Sequence, residues 1–486
     1  MATNAEDISV VLAEQAAARS ASSLPAWLWH LKHLLGLDRA IVYTVLARVV
    51  QILGSAGTVL LILRFLSPVE QGYYYTLLSL VSLQTVFELG FSFVILQLAA
   101  HECAHLAIYP DGRIEGDPVA HARLASVLQK TVRWYLVAAI LFCAALLPLG
   151  SYFFSRQASA TTQVAWHEPW VSAVVATAVL FFLNPFASFL EGCGRIWQVG
   201  RMRLGQAILG AVLSWGALLA HHGLYSPGMV NFGYSVAGAF FLYRNRKLLI
   251  DLLQHRVHQQ SVSWRQEVWP FQWKIAVSWI GAYLSLTVLT PLLFVGRGPA
   301  EAGQFGMSLS ITAYLSTVTL AWMSTKATSF GQMVARGDLR ASRRLFFRTI
   351  RPALGLLIVA AFICEFIVML LHQRFPKLAE RVVSPHLFAL LLVACVSAFI
   401  VQSMGIYLRS SKREPFLVQS LIVAMLTLVL AGLLCKPWGV DGATFSYFLS
   451  TGVVGGALGC VIFSRSGAIA RTDLLGSHTR DGKGIL

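Results

Sequence analysis

Two stretches decide the reading: "SPVEQGYYY" at residues 67 to 75 and "GPAEAGQFG" at residues 298 to 306. Both carry Pro-x-Glu-x-Gly, as Pro68, Glu70, Gly72 and, 231 residues later, Pro299, Glu301, Gly303. Each follows an apolar run that ends near a lone arginine, Arg64 or Arg297, and each opens another long apolar run. The residue types suit a corner between two helices. Proline fixes φ and stops the preceding helix, glutamate in a first turn complements the positive helix end, and glycine lets backbones approach. Any one of these is ordinary. Their recurrence at a fixed offset points to a chain built from two like halves.

Composition sets the environment. Of 486 residues, 56% are hydrophobic and 12% charged, about half the charge of an ordinary soluble domain. Twelve apolar runs approach the length of about 20 residues that spans a bilayer. They lie near 41–64, 72–98, 132–154, 170–190, 202–221, 225–243, 272–295, 303–329, 353–371, 386–408, 415–435 and 438–463. The fold class is therefore an all-α polytopic membrane protein with about 12 transmembrane helices. The formal charge of +16 reflects Lys and Arg collecting in cytoplasmic loops and argues against a nucleic-acid partner. With the N-terminus inside, thirty of the 38 Lys and Arg fall in inside segments and seven outside, which puts both termini in the cytoplasm.

The domain division follows: 1–40 as a cytoplasmic tail with a short interfacial helix, 41–243 and 272–463 as six-helix halves, 244–271 as a basic linker, and 464–486 as a tail. The shift of 231 residues lays helix 1 on helix 7 and helix 2 on helix 8, running in the same direction, with both corners outside. Parallel repeats of this kind place a substrate site in a central cavity between halves that rock. The seven cysteines are scattered, with no Cys-x-x-Cys, and suggest neither a disulfide framework nor a zinc cluster. The N-terminus lacks the basic start and apolar core of a signal peptide, and no P-loop pattern is present. No cofactor is expected.

"RFLSPVEQGYYYTLLSLVSLQTVFELGF" resembles the polysaccharide-export branch of the multidrug/oligosaccharidyl-lipid/polysaccharide flippase superfamily, in its Leu66-x-Pro68-x-Glu70-x-Gly72-x-Tyr74 corner and the later Glu88-Leu89-Gly90. "GPAEAGQFGMSLSI" looks like the corner between helices 7 and 8, and "LEGCGRIWQVGRMRLGQAI" is similar to the basic turn between helices 4 and 5. The segment 99–131 departs from the pattern in being longer and more acidic. The resemblance implies a flippase of the bacterial inner membrane, moving a polyprenyl-pyrophosphate-linked oligosaccharide for cell-surface or exopolysaccharide assembly. It also implies work alongside glycosyltransferases or a polysaccharide polymerase. A cation-coupled multidrug-type exporter is the alternative within the same superfamily. The major facilitator fold shares helix number and parallel halves, but "HECAHLAIYPDGRIEGDP" does not match its Asp-Arg-x-Gly-Arg turn.

Charges inside spans cost about 2.5–3.5 kcal/mol at the centre and need a reason. Arg48 in helix 1 and Glu88 in helix 2 are placed to meet, either as a cavity-lining pair that offers a guanidinium fork to phosphate or as a structural ion pair locking two helices. Lys326 ends helix 8 below a hydroxyl stripe, Ser308, Thr312, Ser316 and Thr319. The stripe either wets a cavity for a sugar-phosphate or bonds within its own helix, while Lys326 either floors that cavity or snorkels. Glu365 in helix 9 is a candidate proton site. "HECAH" offers His101, Glu102 and His105 in a His-Glu-x-x-His pattern, which on a helix holds zinc with Glu as base. No third ligand accompanies it, so an intramembrane zinc protease is the lesser reading and no metal site is assigned.

Overall fold

The computed structural model describes residues 39–109, 111–157, 164–255, 263, 269–335, 338–409 and 416–465. The expected N-terminal tail with its interfacial helix, the C-terminal tail and most of the distal linker lie outside the described residues. Eight described helices are long and apolar enough to cross a membrane, and the protein is an all-α multi-pass membrane protein.

In the first half, α1 (Arg39–Phe65) leads into the corner and then α2 (Pro68–Val81), α3 (Gln84–Glu88) and α4 (Phe91–Cys103). The single helix expected over 72–98 is thus three pieces. The first break follows Val81. The second has Leu89 and Gly90 at φ 52° and 71°, left-handed conformations that end a helix. The segment 99–131, read as a loop, forms a hairpin of β1 (Leu106–Ile108) and β2 (Ile114–Gly116) paired antiparallel. α5 (Pro118–Gln157), α6 (His167–Gly192), α7 (Ile196–Leu219) and α8 (Ser226–Arg244) complete the half. The linker is not all irregular: α9 (Arg246–Gln254) buries Leu248, Leu249 and Leu252.

The second half repeats the plan with its own breaks. α10 (Trp269–Thr287) and α11 (Leu289–Arg297) divide the expected helix over 272–295, and α12 (Pro299–Ser324) follows the second corner. Then come α13 (Ala327–Ala335), α14 (Leu339–Arg374), α15 (Pro376–Ala379) and α16 (Pro385–Arg409). The spans expected at 415–435 and 438–463 share one run. It comprises α17 (Leu417–Tyr447), interrupted at Gly439 (φ 56°), a π-helical turn over Phe448–Gly455 and a helical end at Arg465.

In each half the first helix packs on the fifth. A Cβ at Gly54 would lie 3.3 Å from Ala211, and one at Gly281 would lie 3.0 Å from the Ser420 carbonyl. The halves meet through their corners, on one face. A Cβ on Gly72 would stand only 1.9 Å from the Pro299 carbonyl oxygen, and one on Gly303 2.8 Å from the Gly72 nitrogen. No side chain fits there. Around this contact lies the largest core cluster, with Tyr73, Phe154, Trp170, Phe294, Phe305 and Phe388.

Candidate functional site

The two corner glutamates do different work. Glu70 forms a capping box: its N–H donates to Ser67 Oγ (3.2 Å) and its carboxylate accepts the Ser67 N–H (2.8 Å), so two orphan donors of α2 are satisfied locally. Glu301 reaches across to α17, where its carboxylate accepts the Val440 N–H at 3.0 Å, and Arg297 stands 3.7 Å away. It therefore satisfies the helix that restarts after Gly439. The corner face is also strapped. Gln71 donates to the carbonyls of Gly303 and Arg381 (both 2.9 Å), and Arg381 returns bonds to Gln71 Oε1 (3.2 Å) and the Leu66 carbonyl. Gln304 ties to the Glu380 carbonyl at 2.8 Å. The halves are closed on this side.

Toward the opposite face, which carries most of the arginines, Arg48 is exposed on α1. It donates to Gln51 Oε1 one turn on, at 3.1 Å. The expected ion pair with Glu88 is not formed. Helix 2 breaks on both sides of α3, so Glu88 sits at the end of a five-residue helix and accepts Ser92 Oγ at 2.6 Å, with Tyr135 of α5 beyond it at 3.4 Å from Ser92. Glu88 belongs to the interior of the first half. Among the described residues Arg48 has no carboxylate partner.

Within reach of Arg48 instead are a cation and a phenol. Arg203 of α7 and Tyr234 of α8 are in its electrostatic reach. Tyr234 in turn reaches Tyr314 of α12, which lies beside Ser55 of α1 and within reach of the buried Tyr74 and Tyr75 of α2. This run of groups crosses from the first half to the second. Arg203 is held by Glu191 at 2.6 Å; Arg48 is not so held. The sequence reading singled out Arg48 but missed Arg203, Tyr234 and Tyr314. The signal was there in part: the Tyr73-Tyr74-Tyr75 run stands inside the first corner, and tyrosines at span interiors need hydrogen-bonding partners. On the other flank, Tyr283 of α10 donates to the Ser79 carbonyl at 3.1 Å, and Gln272 donates to the carbonyl of Leu89, the residue at the break of helix 2. The break thus exposes a carbonyl that the second half uses.

The remaining sequence candidates separate. Lys326 is not within a span. It occupies the turn between α12 and α13 and is exposed. The stripe above it is packed rather than wetted: Ser308, Thr312 and Thr319 are buried. Their hydroxyls donate to Gln304, Leu309 and Leu315 carbonyls at 2.8, 2.8 and 3.0 Å. Ser308 also accepts the Val383 N–H at 3.1 Å. Ser316 is half-buried, its carbonyl shared with Thr319 at 3.1 Å. Thr319 and Ser316 therefore stand with the helix–helix packing, not with Arg48. Glu365 is half-buried on α14 with its Oε2 unpartnered. In His101-Glu-x-x-His105 the helix ends at Cys103, so His105 lies beyond it. Glu102 is buried and turned to Arg123 Nε at 2.8 Å, which removes the base that zinc hydrolysis would need. No group of three metal-ligating side chains occurs among the described residues.

No protein-family model matches the chain, and no curated protein matches it. Solved structures do. An outward-facing multidrug resistance MATE family transporter of the MOP superfamily aligns over 90% of this chain and 98% of its own, at TM-score 0.54 and 12% identity. A MATE protein in complex with MaD3S gives TM-score 0.55 and 12% identity, over 89% and 96% of the two chains. A MOP superfamily transporter from Pyrococcus furiosus, described as having a binding pocket of reversed polarity, gives 0.53 and 12% over 88% and 95%. Near-complete coverage of both chains, with two like halves meeting at their corners, gives this protein the fold of the MOP superfamily of transporters.

Proposed function

We propose that this protein is a flippase of the polysaccharide-export branch. It would carry a polyprenyl-pyrophosphate-linked oligosaccharide from the inner to the outer leaflet of the bacterial inner membrane. The observation that carries the reading is Arg48: a guanidinium exposed on a membrane helix, without a carboxylate partner, near a second arginine and the phenol of Tyr234, which in turn reaches Tyr314 of the second half. A guanidinium fork suits the pyrophosphate, and tyrosine rings and hydroxyls suit sugars. In this reading twelve segments cross the bilayer, both termini are cytoplasmic, and the strapped corner face is the outer one. The structure then corresponds to a state closed to the outside, and release needs the Gln71–Arg381 strap to open as the halves rock. The polar head occupies the space between the halves while the polyprenyl tail stays in lipid. Glycosyltransferases or a polysaccharide polymerase would supply the substrate or take the product.

One observation favours the cation-coupled exporter as a second reading: Glu88 lies in a broken helix inside the first half, bonded to Ser92 and with no ion pair to an arginine among the described residues. Depletion of the protein in its own host separates the two. The flippase reading expects a pyrophosphate-linked oligosaccharide to accumulate in the inner leaflet, recovered by lipid extraction and mass spectrometry. Unchanged lipid-linked sugars with altered tolerance of organic cations would favour the exporter.

A further inference from the structure

The helix α14 is 36 residues long, about 54 Å at 1.5 Å per residue, against a hydrocarbon core of about 30 Å. Its apolar part begins at Ala353 and runs to Leu371. The excess is therefore at its start, "LRASRRLFFRTIR", which holds Arg340, Arg343, Arg344, Arg348 and Arg351 and no lysine. All five are exposed. At 100° per residue they fall in a sector of about 140°. Ser342, Phe346, Thr349, Ile350 and Ala353 are buried on the opposite side, with Phe346, Ile350 and Ala353 in a core cluster that includes Phe330 and Phe399. Phe347 lies within the arginine sector, with the guanidinium carbons of Arg343 and Arg351 5.9 and 6.0 Å from its ring centre.

Insertion asymmetry alone asks only for positive charge and accepts lysine as readily as arginine. It explains neither the exclusive use of arginine nor the single face. Three other arginines on this side have carboxylates: Arg113 with Asp111, Arg123 with Glu102, Arg203 with Glu191. The five of α14 have none among the described residues, and two are oriented by one aromatic ring. Forked donors in a row, at the point where a helix leaves the hydrocarbon, match the phosphates of lipid headgroups.

We propose that this arginine stripe is a docking site for anionic phospholipid headgroups, which fixes the depth of the second half in the membrane. The inference is independent of the transported substrate. It carries a built-in gradient. The headgroup layer is only about 5–7 Å thick per leaflet, whereas Arg340 and Arg351 are about 16 Å apart along the helix. Arg348 and Arg351, next to the hydrocarbon, therefore hold the lipid, and Arg340 extends past it.

The test uses delipidated full-length protein in neutral detergent, titrated with phosphatidylglycerol or phosphatidylcholine, with bound lipids counted by native mass spectrometry. The wild type is expected to retain phosphatidylglycerol preferentially. The Arg348→Gln/Arg351→Gln variant should lose about 25-fold in affinity, a factor of about five for each basic group at an anionic surface, while Arg340→Gln loses less than about twofold. Excess inorganic phosphate should not displace the lipid. Every side chain altered is exposed, and monodispersity on gel filtration verifies the fold. Equal binding of the two lipids, an unaffected double variant, or displacement by phosphate would overturn the proposal. So would a larger loss from Arg340→Gln, which would point to an acidic protein in the aqueous phase.

Discussion

Arg48 and Glu88 look alike in sequence, each an isolated charge in an apolar run, and the structure gives them separate surroundings. Because no ion pair joins them, removing Arg48 strands no buried carboxylate. Arg48→Ala is therefore expected to leave membrane abundance unchanged, by quantitative immunoblot, and to abolish transport. Arg48→Lys keeps the charge but not the fork and should retain part of the activity. Glu88→Gln in the Arg48→Ala background should restore nothing; a rescue would mean that the two charges pair in another state. At the second corner, Gly439 has φ 56°, and a Cβ there would lie 2.1 Å from Glu301 Oε2. Gly439→Ala meets both a backbone conformation (φ 56°, ψ −130°) that only glycine adopts readily and a collision with the carboxylate that caps Val440. It should lower the unfolding temperature of the purified protein more than Glu301→Gln. That substitution keeps an acceptor and weakens one bond by about 1 kcal/mol.

Among the elements, the corner was legible because its chemistry is local: proline, a first-turn glutamate and glycine each act within a few residues. The capping box at Ser67 and Glu70 follows directly. The contact of Gly72 with Pro299 does not, since it requires the two halves to be placed against each other. Gly72→Ala is expected to hold the corner face apart. A single cysteine at a residue buried beneath the corner, such as Ala302, should then be labelled by a membrane-impermeant maleimide faster than in the parent; equal rates would show that the contact does not close the face. The breaks in helix 2 were missed because apolar periodicity runs straight through Ser82 and Leu89-Gly90, and only the backbone reveals the left-handed pair. The linker helix α9 was missed for a related reason. Its buried leucines lie within a charge-rich stretch that reads as solvated. It packs on α5, where His121 stacks on His255 at 4.4 Å and Asp251 stands 3.5 Å from His121. Burial first, then the neighbouring His255, hold the His121 imidazole below its ordinary value, against the pull of Asp251. A depressed histidine pKa means that the unfolded or undocked form binds the proton more tightly, so docking is fully supported above about pH 6.5 and weakens as pH falls through that value. Proteolysis of the linker should be faster at pH 5.5 than at pH 7.5, and His121→Gln should flatten the difference.

For the whole molecule, the repeat of one corner at a fixed spacing was the ground for expecting like halves, and the structure brings the two corners into contact. Of the candidate site, the sequence marked only part. Arg48 announced itself as a charge in a span, whereas Tyr234, Tyr314 and Arg203 join it only through the packing of α7, α8 and α12. Of the two readings of the hydroxyl stripe, the hydrogen bonds fit bonding within its own helix: serine and threonine in a helix bond to the carbonyl one turn back, so their spacing carries no information about water. The central claim is that the space between the halves takes a pyrophosphate-linked glycan through Arg48. Its most direct measurement is flipping in proteoliposomes that hold a fluorescent polyprenyl-pyrophosphate oligosaccharide, with lipid of the outer leaflet quenched by a membrane-impermeant reductant. Purified wild-type protein should raise the quenched fraction above the single-leaflet value, Arg48→Ala should not, and an uncharged polyprenyl-linked glycan should not move. Equal flipping by wild type and Arg48→Ala, or none by wild type while an organic cation is transported, would contradict the account.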